Sequence, residues 1–170
     1  QFQVFLGFNI DFETLTPPSL LNQISTEKNE KSGENWDFYP TYEEYVNLMN
    51  FYANDFSSHC KLEKIGESVE GRDILVMKIS DNVDEKEAEP EFFYTSTMHG
   101  DETTGFVLML RLISYLAMEY QNNETVTNLV DNLEIWINPL SNPDGTYFAG
   151  NNTVAGATRF NSNYVDLNRN

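Results

Sequence analysis

The sequence predicts an α/β domain: a mixed β-sheet flanked by helices. Three observations carry that expectation. Apolar residues recur at helical spacing in "YPTYEEYVNLMNFYANDF" and fill "TTGFVLMLRLISYLAMEYQ". Four shorter β-rich runs, "CKLEKIGES", "RDILVMKISD", "EFFYTST" and "LEIWINPLS", are interleaved with these helices. The first two runs are joined by a short connection holding Gly66 and Gly71, which reads as an antiparallel hairpin inside an otherwise interleaved order.

Residues 1–38 read as a lead-in to one domain spanning 39–170. Pro17-Pro18 breaks the chain, and "NQISTEKNEKSGEN" is polar with few apolar residues. The opening "QFQVFLGFNIDF" is mostly apolar. It fits the tail of a signal peptide's apolar region, part of a pro-segment, or a strand or arm packed on the domain. The first of these readings implies a secreted, periplasmic or extracellular setting.

From Tyr39 the pattern tightens. Tyr42, Tyr45, Leu48, Met49 and Tyr52 share one helical face, Thr41 is an N-cap, and Glu44 completes a capping box. The hairpin follows, then "DNVDEKEAEP", an acidic loop whose six charges read as a solvated face. "EFFYTSTMHG" ends in glycine and fits a buried strand. The next helix is apolar nearly all round and so is expected to be largely buried. "TVTNLVDN" is a shorter helix, "LEIWINPLS" a strand, and "NPDGTYFAGNNTVAG" a turn-rich loop.

Composition narrows the function classes. The chain has 170 residues and a net charge of -17, from 27 acidic against 10 basic residues. That balance excludes a basic footprint for nucleic acid and disfavours anionic membrane surfaces. No apolar run reaches the length of a membrane span. The one cysteine, Cys60, cannot form an intrachain disulfide and reads as a small half-buried residue. His59 beside it reads as a surface or edge residue.

The chemistry gathers in two segments. In "TMHGDETTGF", His99 lies just beyond a strand and Glu102 enters the following helix, with Gly100 letting the chain turn between them. His-x-x-Glu at this place brings both side chains within reach of one metal ion. The same pair also fits a histidine and an acid at a helix start, where the dipole favours glutamate. A catalytic zinc takes three protein ligands and a water, so the pair would need a third ligand. In "TRFNSNYVDLNRN", Arg159 and Arg169 are two of four arginines in the chain. With Asn168 after a β-like "YVDL", they read either as an anion site or as surface cations balancing acidic neighbours. Asp144 in "NPDG" reads as a turn residue.

"HGDE", "NPDG" and "R-x-N-x-x-x-x-DLNRN", in that order, resemble the zinc metallocarboxypeptidases, the carboxypeptidase A/B and E/T relatives. The "YPTYEEYVNLM" and "GESVEGRDILVMKIS" segments also look like that family, so the resemblance runs from Trp36 to Asn170. It implies an α/β/α carboxypeptidase-like fold, incomplete in this chain, and one Zn2+ ion with His99 and Glu102 as its first two ligands. It implies that Arg159 polarises the scissile carbonyl, and that Asn168 and Arg169 clamp the substrate's terminal carboxylate. Asp101 stands where the digestive enzymes commonly carry arginine, so a secondary substrate contact made there is not carried over. The family's third ligand, a histidine, and its general-base glutamate lie further downstream. The expectation is therefore the N-terminal part of a larger hydrolase acting on peptide or protein C-termini. This chain alone is expected to be inactive and prone to association; its oligomeric state is not indicated. Two alternatives remain open: a related zinc amidohydrolase acting on N-acyl amino acids, and a non-catalytic binding module of the same fold.

Overall fold

The computed structural model describes residues 36–169. The lead-in expected at 1–38 therefore lies outside the described residues except for its last three. Of these, Trp36 packs against the core.

Helix α1 spans Tyr42–Asp55. Its start is fixed as the sequence suggests: Glu44 donates its backbone N–H to the Thr41 hydroxyl at 3.2 Å, and Thr41 donates its own to the Glu44 carboxylate at 2.8 Å. Strands β1 (Cys60–Glu67) and β2 (Asp73–Ile79) form the antiparallel hairpin, with a bulge between Lys64 and Gly66. Gly71 closes the turn at φ +80°, a conformation that a side chain would oppose. Strand β3 is Glu91–Thr95, and α2 is Thr103–Glu119. Helix α3 is Glu124–Val130, and the Asn123 side chain caps it by accepting from the Thr125 and Val126 N–H groups. Strand β4 is Glu134–Asn138, and a one-turn α4 covers Pro143–Thr146.

The sheet order is β1-β2-β4-β3. β2 pairs antiparallel with β4, and β3 pairs parallel with β4, so the sheet is mixed. Leu75, Met77 and Ile79 of β2 and Ile135 and Ile137 of β4 alternate onto one face. They join Tyr45, Met49 and Tyr52 of α1 and Phe106, Leu110 and Ile113 of α2 in one core. Each such large side chain contributes roughly 1.5–3 kcal/mol by leaving water. The opposite face carries Lys78, which donates to the Glu85 carbonyl at 2.9 Å and lies 3.5 Å from the buried Glu134 carboxylate.

Four expectations change. β3 is not buried: all five of its residues are exposed, and it lies at one edge of the described sheet. α2 is buried on one side only, since Leu108, Tyr115 and Met118 are exposed. "YVDL" is irregular rather than a strand, with Tyr164 at φ +59°. His59 also differs from its surface reading: it is buried, with Nε2 3.0 Å from the Ala117 carbonyl and Nδ1 2.9 Å from the Ser58 hydroxyl.

Candidate active site

Parallel strands β3 and β4 end side by side, and the candidate residues collect at their carboxyl ends, the usual place for a site in an open α/β sheet. After β3 the chain turns through Ser96 and Thr97. Thr97 is buried at φ 55°, which costs a β-branched residue about 1–3 kcal/mol. The Thr97 hydroxyl donates to the Glu102 carbonyl at 3.2 Å, and the Thr97 carbonyl accepts from the Asn142 N–H at 3.1 Å. The strained turn is thereby tied to α2 on one side and to the loop after β4 on the other.

Gly100 is required between His99 and Glu102. A Cβ there would collide with the Gly145 carbonyl carbon and the Thr146 nitrogen. The two backbones touch directly, and the Thr146 hydroxyl donates to the Gly100 carbonyl at 2.9 Å. Gly145 is equally crowded on its other side, where a Cβ would lie 2.6 Å from the Phe160 carbonyl oxygen and 2.7 Å from that of Thr158. The "HGDE" turn, the "NPDG" turn and the "TRF" segment thus stack as three bare backbones. The Arg159 carbonyl accepts from both neighbours, the Gly100 N–H at 3.4 Å and the Asn142 amide at 3.3 Å.

This stacking brings His99 and Arg159 to one carboxylate that sequence reasoning did not assign. Asp166 accepts from Arg159 Nε at 2.8 Å and lies 3.2 Å from His99 Nε2. Burial pushes the Asp166 carboxyl upward, but hydrogen bonds from Arg159, the Asn168 backbone N–H and His99 outweigh it and hold the group below the usual carboxylate range. The signal was present in the sequence: Asp166 is the acid inside "VDLNRN", two residues before Asn168.

The other nitrogen of His99, Nδ1, lies 3.0 Å from Glu102 Oε1. His99 is buried and Glu102 is exposed, so the pair opens to solvent on the glutamate side. Arg159 is half exposed, and its terminal nitrogens have no partner among the described residues. Asn168 and Arg169 follow Asp166 on the surface, where the Arg169 guanidinium donates to the Asn168 carbonyl at 2.8 Å. Asp144 differs from its plain turn reading. It is 1% exposed and accepts from Arg72 at 2.7 Å, from the Ser68 hydroxyl at 2.6 Å and from the Glu70 N–H at 3.1 Å.

These features define a cluster of candidate residues at the strand ends of a mixed α/β sheet, and comparison with known proteins gives the family. The zinc carboxypeptidase family model matches residues 45–170. Carboxypeptidase D of Anas platyrhynchos is 47% identical over 126 residues, covering 72% of this chain and 9% of that protein. The zinc carboxypeptidase of Saccharothrix mutabilis subsp. capreolus is 38% identical over 110 residues, covering 65% of this chain and 25% of that protein. Carboxypeptidase A from Helicoverpa armigera superposes with a TM-score of 0.68 at 24% identity, over 85% of this chain and 34% of that one, which bears on the fold alone. The chain belongs to the zinc carboxypeptidase family. It spans a quarter or less of the length of these two curated relatives.

The residues present fit the ion that the family name implies. A neutral imidazole has one N–H, yet His99 has a carboxylate oxygen beside each nitrogen. If Nε2 donates to Asp166, the Nδ1 lone pair faces the Glu102 oxygen, and a cation between them relieves that contact. Their 3.0 Å separation is close to the ~3.3 Å expected of two ligand atoms on a tetrahedral zinc. Among the described residues, the one group of three or more His, Cys, Asp or Glu whose ligand atoms all lie within 4.8 Å of one another is Asp81, Glu87 and Glu89 in the acidic loop, which includes neither His99 nor Glu102.

Proposed function

We propose that this chain supplies the zinc-binding pair and the substrate clamp of a metallocarboxypeptidase that removes residues from the C-termini of peptides or proteins. The observation that supports this most strongly is the His99 imidazole, flanked by Glu102 at one nitrogen and Asp166 at the other.

In this reading His99 Nδ1 and Glu102 hold the ion, and a third ligand comes from sequence beyond Asn170. Asp166 accepts the Nε2 proton, which fixes the tautomer and leaves Nδ1 free to bind metal. The zinc, when bound, supplies Lewis acidity for a water and the scissile carbonyl. Arg159 is oriented through Nε by Asp166 and turns its unpartnered terminal nitrogens to the oxyanion that develops on that carbonyl. Asn168 and Arg169 bind the substrate's terminal carboxylate, the guanidinium doing so through paired N–H groups. The general base also comes from beyond Asn170.

The test uses the full-length protein, with zinc content and peptide hydrolysis measured together. The wild type is expected to hold one zinc and to hydrolyse peptides faster than N-acyl amino acids; His99→Ala is expected to lose both metal and turnover. Full zinc occupancy in His99→Ala would sink the ligand assignment. A preference for N-acyl amino acids would replace the peptidase reading with the amidohydrolase one.

A further inference from the structure

We infer that the turn joining β1 and β2 is a positioning clamp for Arg159, working through Arg72 and Glu70; the inference rests on the role proposed for Arg159. The turn lies in a separate part of the sequence from the candidate residues. Its polar groups nonetheless converge on the two segments that carry Arg159 and hold Gly100.

The first arm is buried. Arg72 donates to Asp144 at 2.7 Å and, through Nε, to the Asn151 side chain at 2.9 Å. The Ser68 hydroxyl and the Glu70 N–H complete the shell of Asp144. Asp144 immediately precedes Gly145, whose backbone abuts the Thr158 and Phe160 carbonyls and whose own carbonyl accepts from the Thr158 N–H at 2.8 Å. A shift of Asp144 therefore reaches the residues on both sides of Arg159 with no side chain between to absorb it.

The second arm is exposed and direct. The Glu70 carboxylate accepts from Arg72 Nη1 at 2.8 Å with one oxygen and from the Ser162 hydroxyl at 2.7 Å with the other. Ser162 lies between Arg159 and Asp166, in a segment without regular secondary structure. That segment braces itself locally, with the Asn161 and Val165 backbones bonded at 3.1 Å. Among the described residues, Ser162–Glu70 is its hydrogen bond to the hairpin. An isolated surface Glu–Arg pair contributes little to stability. Here the carboxylate joins the hairpin to the segment that orients the Arg159 side chain. Because misplacement by about 1 Å can cost up to 100-fold in rate, such a tether affects turnover more than stability.

Removing Arg72 would leave Asp144 buried and unpaired and would disrupt folding, so the test falls on the exposed arm. In the full-length protein, Glu70→Ala, Ser162→Ala and their double variant are compared by amide hydrogen exchange and by kcat, KM and zinc content. Each single variant should speed exchange across 158–166 while leaving α1 unchanged, and should lower kcat by about tenfold with KM and zinc content unaltered. The double variant should match the singles, since all three lose the same Ser162–Glu70 contact, and Glu70→Gln, which keeps an acceptor, should recover most of the rate. Unchanged exchange in both single variants, or additive losses in the double, would overturn the clamp. Exchange reads the clamp even if the wild type turns over no peptide, and that outcome would count against the proposed reaction alone. Faster exchange with unchanged kcat would overturn the link to Arg159.

Discussion

Asp166 faces His99 Nε2 across 3.2 Å while its second oxygen accepts from Arg159 at 2.8 Å. One carboxylate thus sets the orientation of a metal-ligand candidate and of an oxyanion-binding candidate together. Asp166→Asn keeps the shape, but its amide can donate to Nε2 and favour the wrong tautomer. Zinc affinity of the full-length protein should fall about 10–100-fold, measured by competition with a chelator. An affinity equal to the wild type would show that Asp166 does not orient His99.

The contact of Gly100 with Gly145 and Thr146 leaves no room for a methyl group. Gly100→Ala should destabilise the protein by roughly 3 kcal/mol or more, because backbone rather than a mobile side chain would have to move. Gly66→Ala is the control: its Cβ would meet only Ile74 Cδ1, at 4.0 Å. Urea midpoints compare the two. Equal midpoints would contradict the three-backbone stack.

Much of this was legible beforehand. The Thr41–Glu44 capping box, the hairpin and the His99–Glu102 pair rest on local rules: cap chemistry, period-two alternation and a three-residue spacing across the turn before a helix. What sequence reading missed depends on distant partners. Asp144 looks like turn chemistry until Arg72, 72 residues away, is seen to bury with it. Asp166 has no local reason to matter; its roles come from His99, 67 residues earlier, and from Arg159. β3 has the composition of a buried strand, but burial depends on neighbours that periodicity cannot count.

His59 is buried as a neutral ring between Ser58 and Ala117. Burial lowers its pKa from 6.5, and the opposing pull of the Ala117 carbonyl is smaller. The unfolded chain therefore takes up the proton first. The stability that neutral His59 contributes is complete above about pH 6.5 and declines as the pH falls below it. Urea midpoints at about pH 7.5 and pH 5.5 should drop further for the wild type than for His59→Gln. An equal drop in the two would place the acid sensitivity elsewhere.

Phe92, Phe93 and Tyr94 are all exposed on edge strand β3. An apolar open edge is a template for pairing with another chain. The 170-residue chain should associate in a concentration-dependent manner, and Phe93→Lys should shift it toward monomer in light-scattering measurements. Association unaffected by Phe93→Lys would point to another surface, such as the exposed Leu108 and Met118 of α2.

In the proposed reaction this chain carries the part of a zinc carboxypeptidase that recognises a free C-terminus. The most direct measurement is the rate at which the full-length protein cleaves one peptide with a free terminal carboxylate and the same peptide amidated, in the wild type and in Arg169→Ala. The wild type should cleave the free acid at least about 100-fold faster, since an amidated terminus leaves the guanidinium without the carboxylate it would pair with through two N–H groups. Arg169→Ala should lose most of that preference. Equal rates on both peptides in the wild type, or a preference unchanged by Arg169→Ala, would rule out the carboxylate clamp.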